Sequence, residues 1–95
     1  MLTSMPASRL ELVFRGRVQG VGFRARAGAA AARFGVLGWV RNEPDGSVRC
    51  VAEAEEAVTK EFLNNLLTTM SRYVDSHEAI SGHPSGEFSA FTVRS

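Results

Sequence analysis

Leu10, Leu12 and Phe14 alternate with other residues between Arg9 and Gly16, the period of a strand with one buried face. At Phe23 the period changes. Phe23, Ala27, Ala30, Ala31 and Phe34 fall at helical spacing, an apolar stripe that predicts a helix from Phe23 to Phe34. Gly35 follows it as a C-terminal cap. A second strand is expected from Leu37 to Glu43, and Pro44-Asp45-Gly46 turns it into a third, Ser47 to Glu53. Glu55-Glu56 opens a second helix, where acidic residues suit the positive end of the dipole. Along it Val58, Phe62, Leu66 and Met70 repeat every four residues, with Leu63 and Leu67 beside them. Two further strands, near Tyr73 to Ile80 and from Phe88 to Arg94, complete the pattern. Residues 1–8 read as a flexible tail ahead of one domain, 9–95.

The order strand, helix, strand, strand, helix, strand, strand gives two βαβ-like units joined through a hairpin. It predicts an α+β fold, a ferredoxin-like βαββαβ sandwich with one mainly antiparallel five-stranded sheet and both helices on one face. In such a unit strands 1 and 2 run parallel, with strand 3 between them in the opposite sense. Their C-terminal ends therefore share one edge of the sheet. The residues after strand 1 and those ending strand 2 should meet there, although they lie far apart in sequence.

What lies at those two ends carries the candidate chemistry. Gly16-Arg17-Val18-Gln19-Gly20-Val21-Gly22-Phe23-Arg24 joins strand 1 to helix 1. Its glycines permit positive φ and close approach of a ligand to the main chain. A loop feeding a helix N-terminus gathers unpaired N–H groups, and the helix dipole adds positive potential, so the spot favours an anion. Arg24 is poorly placed for the dipole but well placed to fork onto phosphate oxygens. The expected phosphate cradle comprises Gln19, Gly20, Val21, Gly22, Phe23 and Arg24. A glycine loop that merely turns a corner is the plainer reading. Walker A chemistry is excluded, because Gly22-Phe23-Arg24 stands where Gly-Lys-Ser/Thr is needed. The dinucleotide fingerprint is better imitated by Gly20-x-Gly22-x-x-Ala25 with Glu43 downstream, but a tight turn and a strand follow Glu43 where that fold needs a helix.

At the end of strand 2 stands Gly38-Trp39-Val40-Arg41-Asn42, followed by Asp45-Gly46-x-Val48. Taken with the glycine loop, these residues resemble the signatures of the acylphosphatase family, which hydrolyses the carboxyl–phosphate anhydride of acyl phosphates. Ser85-Gly86-Glu87-Phe88-Ser89 and Phe91-x-Val93-Arg94 add a weaker echo. The resemblance runs over roughly residues 9 to 95. It departs at Ala54, where a glycine is usual, and around Thr68-Thr69-Met70, where the usual Gly-Pro pair is missing. The resemblance implies that Arg24 and the cradle hold the phosphoryl group. It implies that Asn42 orients the attacking water while the substrate itself receives the proton. Judged alone, Asn42 reads equally well as an Asx-turn residue capping the hairpin. Some acylphosphatases end with a terminal carboxylate reaching the active arginine, which extends a supporting part to Ser95; a solvated terminus is the alternative.

Composition adds limits. The 95 residues carry a net charge of +1 and 44% apolar residues, which fits one small globular core and gives no basic surface for nucleic acid. Strand 3 lacks the aromatics a single-strand RNA platform would need. Cys50 is the only cysteine and falls in step with Val48 and Ala52, so it reads as a buried hydrophobe in a reducing cytoplasm. No apolar run approaches the ~18 residues of a membrane span, and no signal peptide is legible. His77 and His83 lie outside both motifs and read as solvated. No metal or other cofactor is expected. The expected partners are a small acyl phosphate and inorganic phosphate as product and inhibitor, with the chain acting as a monomer. A non-catalytic anion-binding module of the same fold is the rival reading.

Overall fold

The computed structural model describes residues 7–95. The expectation for residues 1–6 lies outside the described residues. The elements are β1 (Ser8–Gly16), α1 (Phe23–Phe34), β2 (Leu37–Asn42), β3 (Val48–Ala54), α2 (Glu56–Thr69), β4 (Val74–Gly82) and β5 (Phe91–Val93). They form one five-stranded sheet in the order β4-β1-β3-β2-β5. β3 lies antiparallel between β1 and β2, β4 is antiparallel to β1, and β5 is parallel to β2. This is the expected ferredoxin-like arrangement, and β1 and β2 do end at the same edge.

The inward residues of β1, Leu10, Leu12 and Phe14, are buried beneath the helices. The two helices fill that space differently. α1 offers small side chains, Ala27, Ala30 and Ala31, which let it lie close on the sheet, while α2 supplies the bulky Phe62 and Leu66. Burying each large side chain stabilises by about 1.5–3 kcal/mol. Gly35 adopts the left-handed conformation and caps α1, with Val36 N–H bonded back to Ala31 O. Cys50 is fully buried, and desolvation pushes its thiol pKa up, as suits a packing residue.

Two boundaries differ informatively from the sequence expectation. β1 begins at Ser8, inside the expected tail, because Ser8 is buried and lies 3.5 Å from the hydroxyl of Thr59 on α2. β5 begins at Phe91 rather than Phe88. The loop before it is drawn onto Glu53, whose side chain is 1% exposed. The Ser85 N–H and hydroxyl donate to Oε2 at 2.8 and 2.9 Å, Gly86 N–H donates to Oε1 at 3.1 Å, and Arg9 Nη1 donates to Oε2 at 2.7 Å. Glu53 thus fixes the path by which the chain enters β5.

Burial alone would raise the Glu53 pKa, but the bonds from Ser85, Arg9 and Gly86 outweigh it and hold the carboxyl below its ordinary range. A lowered folded pKa gives a stabilisation present above the unfolded value and lost as pH falls through the folded one. Glu53→Gln should cost on the order of 3 kcal/mol at pH 7, since it removes a buried charge that collects four donors and leaves Arg9 only its longer ion pair with Glu11 at 3.6 Å. Urea unfolding at several pH values tests this. The gap between the two proteins should be widest near neutrality and close as the pH drops below about 4.

Candidate active site

The cradle loop is held by its apolar residues and open at its polar ones. Val18 and Phe23 are each 1% exposed, and Val21 packs against the core between them. The rings of Phe14 and Phe23 lie 4.8 Å apart, so the last inward residue of β1 is fastened to the first residue of α1. The chain between must bulge away from the core. Gly20 and Gly22 have φ of 76° and 80°, a left-handed conformation that a side chain resists. A methyl group at either would meet no atom within 4 Å. Conformation, not crowding, thus requires glycine here, and the space above the main chain is open.

Gly22 is also the N-cap of α1 and has no side chain to satisfy the first turn. Arg26 N–H is the first in that turn to find an acceptor, the carbonyl of Gly22 at 3.0 Å. Among the described residues, no hydrogen bond closes on the N–H groups from Gln19 to Ala25. A row of unpaired donors at a helix N-terminus favours an anion.

The loop borders a cleft of about 500 Å³ lined by Val18, Gly20, Gly22, Phe23, Arg24, Ala25, Asn42, Val93, Arg94 and Ser95. Arg24 and Asn42 therefore face one space, as the strand geometry requires. Four of the six expected cradle residues line it. Gln19 and Val21 do not: Val21 turns into the core, and the Gln19 side chain turns to the hairpin. No Asp or Glu is among the lining residues, so the Arg24 charge is not neutralised by a side chain.

Arg24 finds its hydrogen-bond partner on the main chain. Its Nη1 donates to the main-chain carbonyl of Arg94 at 2.6 Å, one residue before Ser95. No ion pair joins Arg24 to the Ser95 carboxylate among the described residues, although Ser95 lines the cleft. A neutral carbonyl suffices to orient a guanidinium while leaving its charge available. Arg94 is itself fixed twice. Its N–H donates to Val40 O at 2.8 Å, and its guanidinium lies 4.9 Å from the ring centre of Trp39, which Arg41 approaches at 4.6 Å. Trp39 thus packs on the open face of the sheet, where it steadies the strand end that holds Arg24.

Asn42 ends β2, paired with Val48. The hairpin beyond it has its own Asx turn: Asp45 Oδ1 accepts from Ser47 N–H at 2.9 Å and from the Ser47 hydroxyl at 2.6 Å, bonds that lower the Asp45 pKa. The turn-capping role considered for Asn42 therefore belongs to Asp45. No hydrogen bond engages the Asn42 amide among the described residues. Its donor and acceptor remain free beside the cradle.

Sequence reasoning missed two contributors. The Gln19 amide donates through Nε2 to Glu43 O at 2.8 Å and to Ser47 O at 2.9 Å, bridging the cradle to the hairpin. Only the backbone N–H of Gln19 was anticipated. The Arg94 carbonyl was the other omission, although the parallel register of β5 on β2 would have brought it to this edge. His77 and His83 are exposed and away from the cleft, as expected.

Comparison with known proteins agrees with the geometry. The acylphosphatase family model matches residues 10–93. An acylphosphatase of Anaeromyxobacter dehalogenans is 39% identical over 87 residues, covering 90% of this chain and 94% of that protein. One from Acaryochloris marina is 36% identical, covering 88% and 90%. The crystal structure of acylphosphatase from Bacillus subtilis superposes with a TM-score of 0.84 at 25% identity, covering 93% of this chain and 99% of that one.

Inorganic phosphate is the smallest probe of the cleft. Calorimetry should find one site, and Arg24→Ala should weaken it at least tenfold, since a charge-assisted fork contributes about 1.5–3 kcal/mol. Unchanged affinity in a folded Arg24→Ala protein would show that the guanidinium serves Arg94 alone.

Proposed function

The chain belongs to the acylphosphatase family and hydrolyses acyl phosphates, and from that premise we propose how its cleft performs the reaction. The phosphoryl oxygens sit against the unpaired N–H groups of Gln19 to Arg24, with the Arg24 guanidinium across them. Asn42 holds a water in line with the carboxylate leaving group. The water oxygen forms the new bond to phosphorus as the bond to the acyl oxygen breaks. The electron pair leaves with the carboxylate, and the proton of the water passes to a phosphoryl oxygen of the substrate. The products are a carboxylate and inorganic phosphate.

One observation carries this reading: a row of orphaned N–H donors, an un-neutralised arginine and an unbonded asparagine amide border one cleft. A carboxylate is a good leaving group, so acid catalysis adds little. Positioning and stabilisation of the equatorial charge can supply most of the rate. Asn42 cannot take a proton at neutral pH but can both donate to and accept from a water. The aim of Arg24 through the Arg94 carbonyl means that its rotamer entropy, roughly 2 kcal/mol, need not be lost again when substrate binds.

Metal has no part in this scheme, and no group of three His, Cys, Asp or Glu among the described residues would hold one. The purified chain should turn over benzoyl phosphate at the same rate with and without chelator, and inorganic phosphate should inhibit competitively. Activity lost to chelator and restored by a divalent ion would overturn the mechanism. Asn42→Ala should lower kcat by about two to three decades, the usual effect of removing one preorganised polar group from the reacting centre. Phosphate affinity should stay within a few-fold, because the amide holds water and not the phosphoryl group. A parallel collapse of both would place Asn42 in the cradle instead.

A further inference from the structure

We propose that the Gln19 side chain is a positioning residue, which sets Asn42 in place against the phosphate cradle. The inference rests on the reaction proposed above and assigns a part that the reaction itself does not require. Both acceptors of the Gln19 amide are carbonyl oxygens, Glu43 O at 2.8 Å and Ser47 O at 2.9 Å. The orientation of the group is therefore forced, with the NH2 toward the hairpin.

The position of those carbonyls gives the contact its meaning. Glu43 N–H donates to Ser47 O at 2.9 Å, and Gly46 N–H donates to Glu43 O at 3.1 Å. Each carbonyl thus already closes the hairpin, and each receives a second donor from Gln19. The two acceptors stand on opposite sides of the hairpin, immediately beyond the Asn42–Val48 pair. One amide spans the hairpin at the residue that follows Asn42.

The same residue sits in the loop between Val18 and Gly20, both of which line the cleft. Gln19 therefore couples the surface that holds the phosphoryl group to the strand end that holds the water. Coupling is needed because the Asn42 side chain has no hydrogen bond of its own to aim it. Its direction comes from the backbone, and this clamp locks that backbone to the loop. In-line attack tolerates little drift, and a displacement of about 1 Å can cost a hundredfold in rate.

Two variants test the clamp in the full chain, with benzoyl phosphate as substrate. Gln19→Met keeps the length and volume but removes both donors. Its kcat should fall by about ten- to a hundredfold, with KM and phosphate affinity changed by no more than about threefold. In an Asn42→Ala background the same substitution should cause little further loss, since the residue it positions is gone. Gln19→Glu faces two carbonyl oxygens with a carboxylate at neutral pH and regains an O–H donor when protonated. Its kcat relative to wild type should rise on acidification.

An undiminished kcat in Gln19→Met, or the same loss with and without Asn42, would overturn the proposal. So would a matching loss of phosphate affinity, which would make Gln19 a builder of the cradle alone. Should Gln19→Met fail to fold, the pH profile of Gln19→Glu decides, and a flat ratio to wild type counts against the clamp. A wild type unable to turn over benzoyl phosphate would overturn the reaction and this inference with it. That result is distinct from an active wild type indifferent to the side chain at position 19.

Discussion

The contact of Phe14 with Phe23 is the constraint on which the site depends. It fastens the end of β1 to the start of α1, both rings fully withdrawn from water. The intervening chain is then too long to run straight and must arch outward. Its apolar residues, Val18 and Val21, take the inner side of the arch, leaving the glycines and their N–H groups outside. The exposure of these donors thus follows from hydrophobic burial. The core packs one set of side chains and leaves a row of donors without partners.

The rest of the sheet serves to bring other groups to that row. β3, between β1 and β2, lets the two outer strands run parallel and end together, which places Asn42 at the loop. β5, parallel to β2, brings the Arg94 carbonyl to the same edge, where it receives Arg24. Glu53 acts at a distance on this arrangement. By collecting the Ser85 and Gly86 donors it anchors the loop that leads into β5. The Trp39 ring between two guanidinium groups steadies the other end of the same strand.

The site also divides its polar groups between structure and chemistry. Asp45 and Ser47 satisfy the hairpin turn, Gln19 bridges it, and Arg41 pairs with Glu43 at 2.8 Å. Asn42, in the midst of these, is bonded to none of them through its side chain. A free amide among satisfied neighbours can be given over to water. Arg24 shows the same economy in another form, held by a neutral carbonyl that fixes its direction without consuming its charge.

The helices, the inner face of β1 and the loop at the C-terminal end of β1 were legible in the amino-acid sequence because each is governed by local rules. Period two marked Leu10, Leu12 and Phe14, period 3.6 marked both helices, and closely spaced glycines marked a backbone that no other residue adopts easily. The predicted boundaries of α1, Phe23 to Phe34, match the structure. Even the meeting of Arg24 and Asn42 followed from strand order. What only the tertiary structure decided were contacts between groups distant in sequence whose choice of partner leaves no local trace. The Ser85–Gly86 loop is anchored by a carboxylate on β3, and Arg24 by a carbonyl at the far end of the chain. The Gln19 amide could have faced solvent, a ligand or the hairpin with no change in the pattern around it. A main-chain carbonyl is the same acceptor in every residue type, so sequence carries no sign of which one a side chain will find. Only the folded register puts one within 3 Å.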